Sequence, residues 1–371
     1  MTVLAVLSVA IWLYLVFARG AFWQAGPVLP VAYPAVAVPV AIFVPARDEA
    51  PVIEASLRSL LAQDYAGSFR VILVDDNSTD GTGRIASRIA DPRLTVVTGA
   101  ARPVGWSGKL WALSQGVAEA GDTELILLTD ADIVHEPAHL SSLVAKIEGY
   151  GLDLVSEMVK LRCDSPAERA LVPAFVFFFQ LLYPFSWVND GLRSTAAAAG
   201  GTILIRRRAL RRIGGIEAVR GALIDDVALA TAVKRGGRIW LGHAELAWSV
   251  RPYPSVGDIW RMIARTAFVQ LRYSPALLVL TTFGMALTWL APPALTMFGH
   301  GAAFWCGLAS WLMLSASYLP TLRRFGRSPL WAPFLPLIAL FYMAATIGSA
   351  VNHYRGHGVA WKGRAYQGSG G

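Results

Sequence analysis

Residues 125–132, Leu125-Ile126-Leu127-Leu128-Thr129-Asp130-Ala131-Asp132, form a short apolar run that ends in two carboxylates. A run of that length, apolar throughout, reads as a strand covered on both faces. Similar runs precede it at Val38–Val44, Val71–Val74 and Leu94–Val97. Helical patterns separate them, starting at about Pro51, at about Gly81 and near Leu110–Glu119. This alternation of strand and helix predicts an α/β domain: a mostly parallel, Rossmann-like sheet with helices on both faces. In such sheets ligands bind beyond the carboxyl ends of the strands.

Those ends carry the polar residues. The first strand closes in Val44-Pro45-Ala46-Arg47-Asp48-Glu49, and the second in Val74-Asp75-Asp76-Asn77-Ser78-Thr79-Asp80-Gly81-Thr82. Each alone has a bland reading, since Asn77 to Gly81 suits a turn followed by a helix cap. Three strand ends loaded with carboxylates repel one another unless cations or ligand hydroxyls occupy the site. Asp130 and Asp132, two residues apart in extended chain, point the same way. Such a pair suits a divalent cation, Mg²⁺ or Mn²⁺, that keeps positions open for substrate phosphates. A lone Asp-x-Asp is common in surface loops, and the apolar strand before it is what gives this one weight. Gly105-Trp106-Ser107-Gly108-Lys109 precedes a helix and could seat an anion with Lys109. It does not match the G-x-x-x-x-G-K-[ST] phosphate loop, and alone it reads as an ordinary turn.

Composition places this domain in a wider setting. Of 371 residues 55% are hydrophobic and only 16% charged, against about 25% charged in an ordinary soluble domain. The deficit excludes disorder and a wholly soluble chain. Residues 2–18 carry no charge and Arg19 follows them. No Lys or Arg precedes the run, so an uncleaved anchor over residues 1–20 fits better than a signal peptide. Residues 276–319 contain no Lys, Arg, Asp or Glu, enough for two spans with a break between Pro292-Pro293 and Gly299-His300-Gly301. Arg323, Arg324 and Arg327 then form a basic loop, and a third apolar stretch runs from Pro329 to Val351. Basic residues on both of its sides leave it open as a span or as an interfacial or re-entrant segment. The expected organisation is an anchor at 1–20, a catalytic domain at 37–255, a basic interfacial helix at 256–275, a membrane region at 276–352 and a basic tail at 353–371. The net charge of +8 suits loops on the cytoplasmic side and anionic lipid. Nothing suggests a nucleic-acid partner. Cys163 and Cys306 are too few for a disulfide framework or a cysteine metal site.

In order and spacing these segments resemble the membrane-bound branch of glycosyltransferase family 2. The matching segments are 44–49 (VPARDE), 74–82 (VDDNSTDGT), 105–112 (GWSGKLWA), 128–132 (LTDAD), 200–207 (GGTILIRR) and 224–230 (IDDVALA). The chain most resembles the hopanoid-biosynthesis-associated transferases of bacteria, and Trp361-Lys362-Gly363-Arg364-Ala365-Tyr366 resembles a tail of ceramide-glucosyltransferase-like members. The resemblance implies a GT-A fold, a nucleotide-diphosphate sugar donor of UDP type, a divalent cation and a membrane lipid acceptor, hopanoid-like or alternatively a sphingolipid, diacylglycerol or polyprenyl phosphate. It also implies a multi-pass protein of the bacterial inner membrane with its catalytic domain in the cytoplasm. By it Pro45, Arg47 and Glu49 line the nucleotide pocket, with Glu49 and Asp76 near base and ribose, and Lys109 and Asp130 belong to the donor site. Asp132, ahead of Asp130, is the direct metal ligand. Gly200, Gly201 and Thr202 face the acceptor. Asp226 is the catalytic base, while Asp225 stands where the family has Glu. The competing reading of Asp225 and Asp226 is a helix cap.

The family pattern fails at one place. Processive members carry Gln-x-x-Arg-Trp, whereas this chain has Gln270-Leu271-Arg272-Tyr273. On a helix Gln270 and Arg272 point about 200° apart and cannot form an i, i+3 pair. On one continuous helix Arg261, Arg265 and Arg272 fall within about 40° of each other. Such a stripe fits the donor diphosphate, lipid phosphate or plain solvent. Leu171 to Trp187, uncharged and interrupted by Pro173 and Pro184, fits an interfacial element or a buried core helix. Arg206, Arg207, Arg208, Arg211 and Arg212 suit an anionic membrane surface. The histidines lack metal-ligand spacing and receive no role. A non-catalytic binding module would lack Asp132 or Asp226. A channel or transporter would place ionisable residues inside the spans.

Overall fold

The computed structural model describes residues 1–119, 121, 123–355, 360–361 and 364–365. The basic tail, apart from those few backbone positions, lies outside the described residues. The chain divides into two compact units. One is built from residues 27–162, 187–252 and 361–371, the other from 1–26, 163–186 and 253–360.

The first unit holds an eight-stranded sheet. Its strands are β1 (Val40–Ala46), β2 (Phe69–Asp75), β3 (Leu94–Thr98), β4 (Leu125–Thr129), β5 (Ile133–His135), β6 (Leu154–Lys160), β7 (Thr202–Arg206) and β8 (Ile239–Ser249). The order across the sheet is β3-β2-β1-β4-β7-β6-β8-β5. β1 and β4 are buried along their whole length, as continuous apolar runs in a doubly covered sheet must be. The expected parallel pairing holds for β2 with β3, β1 with β2 and β1 with β4. Beyond β4 the sheet is mixed: β7 runs antiparallel to both β4 and β6, β6 pairs in parallel with β8, and β5 antiparallel to β8. The helix Gly108–Glu119 lies close over β1, where a Cβ on Gly116 would sit 2.8 Å from the Phe43 ring.

Two consequences of this topology place the site. The chain winds outward from β1 through β2 to β3 and then returns to lay β4 on the other side of β1. That reversal opens a crevice at the carboxyl ends of β1 and β4. The antiparallel register then sets Thr202 opposite Thr129 and Ser249 opposite Ile133. The start of β7 and the end of β8 therefore arrive beside Asp130 and Asp132.

The second unit is helical. Three of its helices are long and apolar enough to cross a membrane: Pro275–Phe298, Ala302–Arg324 and Pro329–Tyr354. Thr2–Phe17 is a shorter apolar helix. The first helix runs on through Pro292 and Pro293, and the break falls at Gly299–Gly301. The third stretch, left open by its flanking charges, is helical throughout. A π-helical turn at Ala286–Leu290 leads into the prolines. Pro292 has no N–H to offer the Thr288 carbonyl, which instead accepts from Trp12 Nε1–H at 2.9 Å. Much of Leu171–Trp187 is buried, with Leu171, Val172, Val176 and Phe177 at most 6% exposed and Leu182 at 52%. Helix Pro166–Leu182 starts in a capping box of Ser165 and Glu168. Its Phe177 and Phe178 pack edge-on against Tyr318 and Tyr342.

The stretch 256–275 is not one helix. Val256–Ala264 ends at Arg265, Ala267–Gln270 is a single turn, and Arg272 and Tyr273 adopt left-handed φ of 53° and 55°. Ser274, whose hydroxyl accepts from Leu277 N–H, and Pro275 then start the next helix afresh. The proposed stripe of Arg261, Arg265 and Arg272 depended on continuous helical phase, and the break removes it.

Candidate active site

The loops after β1 and β2 are knitted together. Asp48, at φ 50°, receives Thr79 N–H on its carboxylate at 2.7 Å and gives its own N–H to Ser78 Oγ at 3.0 Å. Glu49 N–H donates to Thr82 Oγ1 at 2.8 Å, and Ala50 N–H to Asp80 at 2.8 Å. Arg47 Nη1 donates to the Asp76 carbonyl at 2.5 Å and lies 3.6 Å from its buried carboxylate. The run of acidic and hydroxyl residues at 75–82 is thus largely spent on holding its neighbour loop in place. The carboxylates of Glu49 and Asp76 are themselves buried and paired, with Arg251 at 2.6 Å and Arg47 at 3.6 Å.

The second cluster gathers around Gly200. Lys109 Nζ lies 2.8 Å from Asp130 Oδ1 and 3.4 Å from Asp225 Oδ2. Gly200 N–H donates to Asp226 Oδ2 at 2.9 Å. A Cβ at Gly200 would sit 3.0 Å from Lys109 Nζ, 3.5 Å from Asp226 and 3.7 Å from Asp130, so only glycine leaves this space open. Asp225 and Asp226 open the helix Asp225–Lys234, whose N-terminal dipole favours negative charge. Burial, reinforced by Asp225 and opposed by Lys109, pushes the Asp226 carboxyl up to about 7. Asp130 is also raised, by burial first, with Lys109 opposing and Asp132 adding to it. Lys109 loses by burial but gains more from Asp130 and Asp225, so its ammonium is held well above the ordinary lysine range. A small cavity lined by Pro45, Lys109, Thr129, Gly200, Asp225 and Asp226 marks the place.

Asp132 belongs to a third group. Its Oδ2 accepts from Ser249 Oγ at 3.0 Å and pairs with Arg251 Nε at 2.8 Å, while Arg251 Nη2 reaches Glu49 Oε1 at 2.6 Å. One guanidinium therefore ties the end of β1 to the turn after β4. The repulsion anticipated from the sequence is answered inside the protein by Arg47, Lys109 and Arg251. Arg251 and Ser249 have no place in the sequence reading. The signal for them was a further polar strand end, Ser249-Val250-Arg251, closing β8.

The remaining sequence candidates distribute as follows. Gly201 and Thr202 are buried where β7 begins, and the Gly201 carbonyl accepts from Thr129 Oγ1 at 2.8 Å. The segment leading to them is fixed by Lys234, which gives its ammonium protons to the carbonyls of Trp187, Val188 and Thr195 at 2.9, 2.7 and 2.6 Å. Arg261, Arg265, Gln270 and Arg272 lie in the helical unit. There Arg261 pairs with Asp258 at 2.6 Å and Gln270 donates to Tyr183 Oη at 2.5 Å. The basic cluster at 206–212 is largely structural. Arg206 is buried, paired to Glu148 at 2.8 Å, and donates to the Leu152 and Ile147 carbonyls; Arg212 pairs with Asp153 at 2.8 Å. Among the described residues no three His, Cys, Asp or Glu converge as a metal cage.

The fold is that of a GT-A-like α/β domain, and its strand ends are acidic. The profile described as "Glycosyl transferase family 2" matches residues 41–214, so the sheet-bearing part of the chain is similar to that family. The chain is 28% identical over 222 residues to the probable glycosyltransferase YdaM of Bacillus subtilis, covering 57% of this chain and 51% of that one. It is 27% identical over 225 residues to y4gI of Sinorhizobium fredii, an uncharacterised protein, covering 56% of this chain and 24% of that one. The chain thus spans about half and a quarter of the length of these curated relatives. Among solved structures, the mannosyltransferase PcManGT from Pyrobaculum calidifontis, in complex with GDP-Man and Mn²⁺, shares the fold. Its TM-score is 0.55 at 23% identity, covering 95% of this chain and 99% of that chain.

Proposed function

We propose that the protein is an inverting glycosyltransferase that moves a sugar from a nucleotide-diphosphate donor to a hydroxyl of a membrane lipid. The observation that carries this reading is the cluster around Gly200, where a raised carboxyl, a second carboxylate and a lysine ammonium face one small cavity. Asp226 is the base in this scheme: a carboxyl raised toward neutrality is suited to take the proton of an attacking hydroxyl. Its two backbone partners, Gly200 N–H and Val227 N–H, orient the carboxylate. Lys109 is a fixed positive charge beside the place where negative charge grows on the departing diphosphate. Glu49 and Asp76 offer acceptors for base and ribose hydroxyls, and Arg47 and Arg251 hold the loops that carry them. Attack opposite the leaving group in a single displacement inverts the anomeric centre.

Asp130 and Asp132 offer the hard oxygen donors that Mg²⁺ or Mn²⁺ takes alongside phosphate oxygens. Each has one oxygen paired to a cationic side chain, and Asp130 Oδ2 faces the notch at Gly200, so the pair fits an ion that arrives with the diphosphate. Such an ion would neutralise charge on the leaving group.

A lipid acceptor is supported by the three long apolar helices, and one of hopanoid type by the sequence resemblance. The same helices, with the basic loop at Arg323, Arg324 and Arg327, support a bacterial inner-membrane protein whose catalytic domain faces the cytoplasm. The test is to incubate purified protein in lipid nanodiscs with radiolabelled UDP- and GDP-sugars, Mn²⁺ or Mg²⁺, and lipid extract containing hopanoids. Labelled lipid is the expected result. Absence of labelled lipid with every donor overturns the proposal.

A further inference from the structure

A string of buried polar groups runs behind the site, and the mechanism above does not use it. Glu157 Oε2 lies 2.6 Å from His139 Nε2; His139 Nδ1 lies 2.8 Å from His135 Nδ1; His135 Nε2 lies 3.1 Å from Thr129 Oγ1; and Thr129 Oγ1 lies 2.8 Å from the Gly201 carbonyl. All four side chains are at most 3% exposed. The far end is the backbone at the acceptor-side turn. Gly201 follows Gly200, whose N–H holds Asp226, and Ser156 Oγ bonds Ala199 and Thr202 on the same turn.

Counting hydrogens decides the state of this string. Four hydrogen bonds in series need four hydrogens. A neutral His139, a neutral His135 and Thr129 bring one each, and an ionised Glu157 brings none. The Gly201 carbonyl can only accept. With three hydrogens one contact lacks its proton, and an ionised Glu157 stays buried as an uncompensated charge whose Oε1 has no hydrogen-bond partner among the described residues. A fourth hydrogen satisfies every contact and makes the string neutral as a whole.

We infer that Glu157, His139, His135 and Thr129 form a buried relay that holds one extra proton at the Glu157–His139 end. Whichever of the pair carries it, His139 Nδ1–H then donates to His135 Nδ1, His135 Nε2–H to Thr129 Oγ1, and Thr129 to the Gly201 carbonyl. His135 passes the direction on as its Nε2–H tautomer, donating to Thr129 and accepting from His139. Burial, then His139, holds the His135 pKa well below the ordinary histidine value, which agrees with the extra proton lying elsewhere. The four are positioning residues: they fix the end of β4 to the start of β7, and so the Gly200 amide to Asp226. Their effect on transfer rests on the proposed function, whereas the protonation pattern does not.

The imidazole ¹⁵N spectrum of the full chain in nanodiscs, assigned with His135→Phe and His139→Phe, reads the pattern without any substrate. The expected result is a neutral Nε2–H His135. A neutral Nδ1–H His135 overturns the relay, because Thr129 would then donate to the ring and leave the Gly201 carbonyl. Thr129→Val keeps shape but removes the hydroxyl, and should lower kcat about tenfold or more with donor KM nearly unchanged. Thr129→Ser should recover most of that loss. Equal rates for the Val and Ser variants overturn the positioning role. A wild-type protein that labels no lipid removes the proposed function and leaves the tautomer test standing.

Discussion

Phe43 and Phe283 are the same side chain in opposite circumstances. Phe43, in the middle of β1, is fully buried, while Phe283, on helix Pro275–Met285, is 65% exposed along with its neighbours Val279 and Leu280. The polar residues reverse the pattern. In the helical unit Ser310, Ser317 and Thr321 are turned inward and buried, the placement that close packing between apolar helices favours for small polar residues. In the sheet unit the crevice collects carboxylates and cations. The same side-chain types are thus sorted in opposite ways in the two units, as expected if the helical unit lies in a membrane.

The largest effect should come from a change that leaves this sorting alone. Asp226→Asn should reduce lipid labelling by about two to four orders of magnitude, with donor binding by calorimetry nearly intact. Its thermal stability should not fall, since a raised carboxyl signals a charge that burial disfavours. Phe43→Ala should destabilise the sheet unit by about 3–5 kcal/mol in denaturant titration. Leu280→Asp should hinder membrane insertion at a cost of about 2.5–3.5 kcal/mol, although the residue is 65% exposed. The matching Val36→Asp, at an exposed site of the sheet unit, should shift stability by less than about 0.5 kcal/mol. Equal tolerance at the two positions would break the comparison. Acid should act through His135. Its folded pKa is depressed, by burial and then by His139, so the unfolded chain binds the proton more readily. Stability from this group is complete above about pH 6.5 and declines as pH falls below that value, which melting curves across pH 5–8 can follow. Trp12→Phe removes the donor to the Thr288 carbonyl and should cost about 1 kcal/mol beyond the lost ring area in thermal melts.

The parts legible in the sequence were those that local pattern writes down. Continuous apolar runs predicted β1 to β4, and their acidic ends predicted the loops that meet at the crevice. Glu49, Asp76, Lys109, Asp130, Asp132, Asp225 and Asp226 do share one end of the sheet. The antiparallel half was not legible. β5 has three residues, and β8 owes its place to pairing with β6 and β5 rather than to any pattern of its own. Arg251 was missed for the same reason: it meets Asp132 across 119 residues of chain. The pairing of His135 with His139 was not legible because it joins the end of a strand to the start of the next helix, and its other partners, Thr129 and Glu157, lie on separate strands. The arginine stripe failed because the helix carrying Arg261 ends at Ala264 and Arg272 lies in left-handed backbone beyond it.

The bond from Trp12 to Thr288 also sets a schedule. Its two ends are 276 residues apart, and at about 5–20 residues per second the indole is made roughly a quarter of a minute to a minute before its carbonyl. Until then the first helix has to be held by something other than its final partner. The proline-interrupted helix in turn lacks one acceptor's donor until the oldest part of the chain docks. Assembly of the helical unit is thus closed by its first-made segment meeting one of its later ones.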